Sequence, residues 1–215
     1  MRSERCPLQK GDVLIVVDVQ NDFCPGGALA IKEGHQIVPE INRWLQVANE
    51  CGVPIFASRD WHPENHISFK DRGGPWPPHC VQGTRGAEFH PDLRLPPNVP
   101  IISKAADPDK ESYSAFGDTD LADRLRVTNA ERLWIAGLAL DYCVRHTAID
   151  ARRLGYEVHL IFNATRPVNR SDGARALKEL DDMGVIIERQ HAMAGWRLPL
   201  MASKYHRARS NVTSI

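Results

Sequence analysis

Residues 12–19, Asp12-Val13-Leu14-Ile15-Val16-Val17-Asp18-Val19, decide the fold. The side chains between the two aspartates are all aliphatic, and most are β-branched. An apolar run with no polar alternation belongs to a strand buried on both faces, as in a parallel sheet covered by helices. Outward from it, residues 35–51 space Ile37, Ile41, Leu45 and Ala48 along one helical stripe, which Gly52 ends. Val53–Ser58, Val99–Lys104, Arg132–Gly137, Glu157–Asn163 and Val185–Glu188 read as five more strands. Further helices are predicted over Thr119–Arg126 with Asp118 as N-cap, over Asp141–Leu154 up to Gly155, and from near Ser171. The alternation predicts an α/β fold: a doubly wound, six-stranded parallel sheet with helices on both faces. One domain over residues 1–215, with its core at about 11–190, accommodates it.

Lys+Arg and Asp+Glu both number 27, so no basic surplus recommends nucleic acid as a partner, and a small uncharged ligand fits better. The start, MRSERCPLQK, has no apolar core of a secretory signal, and no run is long enough to span a bilayer. Cys6, Cys24, Cys51, Cys80 and Cys143 are scattered and odd in number, which predicts free thiols and a cytoplasmic setting, with Cys51 as helix core. The tail from about Leu198 is patternless and is expected to fray. Oligomeric state is left open, a homo-oligomer included.

Residues 61–97 break the rhythm, being rich in Pro, Gly and His without any period. A loop this long is expected to be functional. Asp60 and His62, then His66 and His79, supply carboxylate and imidazole donors of the kind that bind zinc, iron or manganese. An isolated Asp-x-His means little among nine histidines; His79 within Trp76-Pro77-Pro78-His79-Cys80 strengthens the set.

Open parallel sheets bind ligands beyond the carboxyl ends of their strands. Asp18, Asp60 and Lys104 close or follow the first three strands, and Cys143 follows the fourth in the first turn of a helix. A thiol there meets the positive end of the helix dipole, which favours thiolate, and free N–H groups suited to an oxyanion hole. Each residue also has a structural reading: Cys143 as a small buried hydrophobe, Asp18 and Lys104 as a buried ion pair. The combination of base, cation and nucleophile favours catalysis. No G-x-S-x-G elbow, phosphate loop or dinucleotide fingerprint occurs.

The segments VVDVQNDFCPGGAL (16–29), SRDWHPENHISF (58–69), WPPHCVQGTRGAEFHPDL (76–93), the lysine of IISKA and GLALDYCVRHTAIDA (137–151) resemble the isochorismatase-like cysteine hydrolases, in their nicotinamidase/pyrazinamidase branch. The resemblance covers roughly residues 11–190 and implies the strand order 3-2-1-4-5-6. It implies a catalytic triad of Asp18, Lys104 and Cys143, and metal ligation by Asp60, His62 and His79, with His66 as a fourth candidate. One divalent ion is implied, zinc first, with iron or manganese as alternatives. Phe23, Trp76, Leu138 and Tyr142 are implied beside the substrate, with a cis peptide at Leu138–Ala139 and an oxyanion hole from the N–H groups of Ala139 and Cys143. The implied reaction is hydrolysis of nicotinamide to nicotinate and ammonia through a thioester. The alternatives are another small amide, such as pyrazinamide or an N-carbamoyl compound, or a non-catalytic metal or redox module. Asn163-Ala164-Thr165-Arg166 departs from the acidic pattern of many relatives and leaves amide preference open.

Overall fold

The aliphatic side chains of the 12–19 run leave their strand alternately for two cores. Leu14 and Val16 pack with Ile41, Leu45 and Ala48, while Val13, Ile15 and Val17 pack with Leu121, Leu125, Ala148 and Leu180. This is the two-faced burial that the unbroken apolar sequence requires. The computed structural model describes residues 6–189. In chain order these form β1 (Asp12–Val17), α1 (Val38–Glu50), β2 (Ile55–Asp60), β3 (Ile101–Lys104), α2 (Leu121–Val127), β4 (Arg132–Leu138), α3 (Arg145–Arg153), β5 (Glu157–Arg166), α4 (Arg170–Asp182) and β6 (Ile186–Glu188). The sheet runs β3-β2-β1-β4-β5-β6 with every pairing parallel, as expected. Helix α1 covers one face, and α2, α3 and α4 the other.

The order reverses between β1 and β4, so a crevice opens beyond their carboxyl ends. These two strands approach closely there. Gly137 has φ +122, and a Cβ on it would lie 1.9 Å from the Val17 carbonyl oxygen. Only glycine fits that contact.

Four expectations need correction. Cys6 and Cys51 are joined in a disulfide, with Cα atoms 5.9 Å apart, and are not free thiols. The strand-helix-strand crossover returns the end of α1 to the amino-terminal edge of the sheet, where residue 6 also lies; a separation of 45 residues hid this. Cys51 is therefore the half-buried cap of α1, not helix core. Asp118 does not cap α2: it sits at φ 51, and the helix begins at Leu121, whose N–H is taken by the Thr119 hydroxyl. The helix after β4 does not start as an α-helix. Leu140–Val144 forms a wider π-helical turn, and α3 follows it. The tail from about Leu198 lies outside the described residues. Among the described residues no helix is long and apolar enough to cross a membrane.

Candidate active site

Asp18 is the first residue beyond β1 and adopts φ 48, a left-handed conformation that aspartate tolerates better than most residues. Its N–H donates to the Ser58 carbonyl, and the Ser58 hydroxyl donates to Asp18 Oδ1 at 2.7 Å. Asp18 Oδ2 lies 3.0 Å from Lys104 Nζ. Register places Lys104 beside Asp60 across β3 and β2, and the ammonium also hydrogen-bonds the Asp60 carboxylate. From there Nζ reaches Cys143 Sγ at 3.3 Å. Three strand ends and the turn after a fourth thus converge on one cation, and all four side chains are buried.

Burial pushes Asp18 up, and repulsion from Asp60 adds to this against the pull of Lys104. Burial pushes Asp60 up too, but Lys104 and the neighbouring His62 override it and hold Asp60 well below the usual carboxylate range. The two carboxylates are driven apart, Asp18 toward the protonated form and Asp60 toward the anion. Burial raises the Cys143 thiol well above its ordinary value, with Lys104 opposing. This corrects the expectation of a dipole-favoured thiolate. In the enclosed π-turn desolvation outweighs the opposing charge of Lys104.

Beside this cluster, Asp60, His62 and His79 each turn a donor atom toward a common point, all within 4.8 Å of one another. Both ring nitrogens of His62 are buried without a hydrogen-bond partner, and the nearer Asp60 oxygen is 3.6 Å away, too far for one. His79 Nδ1 donates to the Pro77 carbonyl at 2.8 Å, which leaves Nε2 with its lone pair free. Burial lowers the proton affinity of His79, as a ligand requires. An orphaned imidazole, a prepared imidazole and a held carboxylate suit a divalent cation. His66 differs. Its Nε2 donates to the Lys110 carbonyl at 3.0 Å and its Nδ1 accepts the Ser68 hydroxyl at 2.7 Å, so it has no lone pair left. Its ring lies 4.2 Å from that of His62 and packs against it.

The cleft above Cys143 is walled by Phe23, Trp76 and Tyr142, with Ala139, Asp60 and His79 at its floor. Leu138, expected beside the substrate, is wholly buried in the core on the α1 side, and its side chain does not line the cleft. The Leu138–Ala139 peptide bond is cis, and the Ala139 carbonyl accepts the N–H groups of Tyr142 and Val144. Sequence reasoning missed four wall residues, Leu29, Ile31, Tyr113 and Val168. The Tyr113 hydroxyl accepts the Trp76 indole N–H at 3.0 Å, which fixes the plane of that ring. No local pattern marked Tyr113, because it lies in an irregular connection. A wider groove between α1 and residues 90–97 is walled by Asn42, Arg43 and Arg94 and holds no nucleophile.

Comparison with known proteins places this geometry in context. The model of the isochorismatase domain matches residues 12–191. A nicotinamidase of Escherichia coli is 39% identical over 206 residues, covering 85% of this chain and 95% of that protein. A pyrazinamidase of Pyrococcus horikoshii solved in complex with zinc superposes with a TM-score of 0.81 at 51% identity, covering 84% of this chain and 99% of the other. A protein of L. infantum solved in complex with nicotinate superposes with a TM-score of 0.77 at 39% identity, covering 83% and 92% of the two chains.

Proposed function

Since the chain belongs to the isochorismatase domain family, we propose that it is a nicotinamidase, hydrolysing nicotinamide to nicotinate and ammonia through a thioester on Cys143. The observation that carries the reading is the contact series Cys143–Lys104–Asp18, with 3.3 and 3.0 Å steps, whose Cys143 end lines an aromatic cleft. The similarity to the E. coli nicotinamidase and to the nicotinate-bound L. infantum protein supports the substrate.

Asp18 takes the proton of the Cys143 thiol, and Lys104 holds both groups and balances the charge. The thiolate attacks the carboxamide carbon, and the N–H groups of Ala139 and Cys143 are proposed to receive the oxyanion. Protonated Asp18 returns its proton to the departing nitrogen, so ammonia leaves and a nicotinoyl thioester remains. Asp18 then deprotonates a water molecule that attacks the thioester, and the proton passes back to Cys143 as nicotinate forms. Phe23, Trp76 and Tyr142 enclose the pyridine ring. Asp60, His62 and His79 are proposed to hold one divalent ion, zinc by likeness to the P. horikoshii protein, with iron and manganese as alternatives. A bound divalent ion supplies a Lewis acid at the cleft wall. His66 is left outside this set and supports the His62 ring.

The test is ammonia release from nicotinamide by the metal-loaded protein, with Cys143→Ala alongside. Turnover by the wild type and none by the variant, at equal metal content, supports both reaction and nucleophile. Substantial residual activity in the variant removes the covalent step. A silent wild type shifts the reading to a different small amide, pyrazinamide or an N-carbamoyl compound.

A further inference from the structure

The chain leaves β5 at Arg166, and Val168 reaches the cleft wall before α4 begins at Arg170. Val168 lines the cleft yet is 43% exposed, an apolar side chain standing where core packing does not call for it. It is also firmly held. Asp141 Oδ1 accepts the Val168 N–H at 2.9 Å and its Oδ2 accepts the Asn169 N–H at 3.2 Å. Asp141 is itself buried and lies two residues before Cys143, so lip and nucleophile ride on one turn. On the far side, a Cβ on Gly173 would lie 2.7 Å from Pro167 Cβ, so α4 packs directly on the lip. The Asn169 side chain accepts the Ser171 N–H and fixes the start of that helix.

We infer that Val168, positioned by Asp141, limits the size of the aromatic ring that the cleft admits. A mobile side chain at a mouth yields to a larger ligand; a side chain pinned through its own N–H and through its neighbours does not. The lip therefore acts as a fixed gauge at a set distance from Cys143. Asp141 contributes as a positioning residue, through the main chain of Val168 and Asn169. The inference rests on the reading of the cleft as a site for pyridine carboxamides.

The experiment compares kcat/KM for nicotinamide with that for quinoline-3-carboxamide, the same carboxamide bearing a fused second ring. Val168→Ala should shift the ratio about tenfold toward the fused ring, and Val168→Phe should shift it the opposite way, the scale on which a pocket reads a methylene or two. Asp141→Ala should move the ratio in the direction of Val168→Ala. A purely structural role for Asp141 would depress both substrates together and leave the ratio in place. Wild-type turnover of nicotinamide with ratios within twofold across the Val168 variants overturns the inference alone. A wild type inactive on nicotinamide removes the reading of the cleft and the inference with it.

Discussion

Gln20 grips the main chain of Asp60 from both sides: its Oε1 accepts the Asp60 N–H at 2.8 Å, and its Nε2 donates to the Asp60 carbonyl at 2.8 Å. The same Nε2 donates to the Ala87 carbonyl at 2.9 Å, so the clamp also ties down the 61–97 loop. Gln20 is wholly buried, and all three hydrogen bonds of its side-chain amide go to backbone groups.

Gln20→Ala leaves three backbone groups unpaired in the interior. At about 1–3 kcal/mol for each orphaned group, the variant should lose roughly 3 kcal/mol or more in urea denaturation. Because Asp60 then loses its fixed orientation, divalent-ion affinity should fall as well. Calorimetric titration of metal into wild type and variant checks this, and equal affinity would show that the clamp serves stability alone.

The two classes of histidine in the loop lead to a sharper contrast. His79→Ala removes a nitrogen kept free by the Pro77 carbonyl, and should lower metal stoichiometry and raise KM steeply. His66→Ala removes a ring whose nitrogens are both engaged by Ser68 and Lys110, and should leave stoichiometry near that of wild type. Elemental analysis of the purified variants decides. Loss of metal in the His66 variant equal to that in the His79 variant would restore His66 as a ligand.

The disulfide carries a separate consequence. Joining Cys6 to Cys51 closes a loop of 45 residues, which restricts the unfolded chain and is worth roughly 2–4 kcal/mol. Reduction with a strong thiol reductant should lower the unfolding midpoint by the amount that Cys51→Ser lowers it. The two treatments together should add nothing further, since one bond underlies both. A wild-type midpoint unchanged by complete reduction would refute this.

What was legible in the sequence follows from the range of each interaction. The 12–19 run announces its own two-sided burial, because five adjacent aliphatic side chains have no other place to go. Asp18, Lys104 and Cys143 were legible because strand ends in a parallel sheet share one edge, so topology alone brings them together. Gln20 was not: it sits two residues after Asp18 with no local signal, and its role is defined by Asp60 and Ala87, 40 and 67 residues away. The Cys6–Cys51 bond failed for the same reason. Leu138 was misplaced on a finer scale. It lies next to a cleft residue, but alternation along β4 turns its side chain to the α1 face with Trp134 and Ala136. The state of Cys143 was misjudged because position in a helix says nothing about how dry the site is.

Lys104 holds the most exposed consequence of the arrangement, because two buried carboxylates depend on it. Its ammonium lies 3.0 Å from Asp18 and also bonds Asp60 and the Ser112 carbonyl. Lys104→Met keeps the length of the side chain and removes the charge, so Asp18 and Asp60 face each other uncompensated. Removing one partner from a buried ion pair costs about 3–5 kcal/mol, which metal-free protein at neutral pH should show in urea denaturation. The pH dependence fixes the cause. In wild type, Asp60 is held below its unfolded value, so its contribution is present above about pH 4 and is lost as pH falls. Without the ammonium, burial and mutual repulsion should raise both carboxyls above their unfolded values, so the folded variant should bind more protons and lose stability as pH rises through that range. Lowering the pH from 7 to 5 should therefore restore part of the variant's lost stability while leaving the Asp60 contribution in wild type intact. A deficit in Lys104→Met that stays constant from pH 7 to 5 would mean that lost packing, and not the stranded carboxylates, accounts for it.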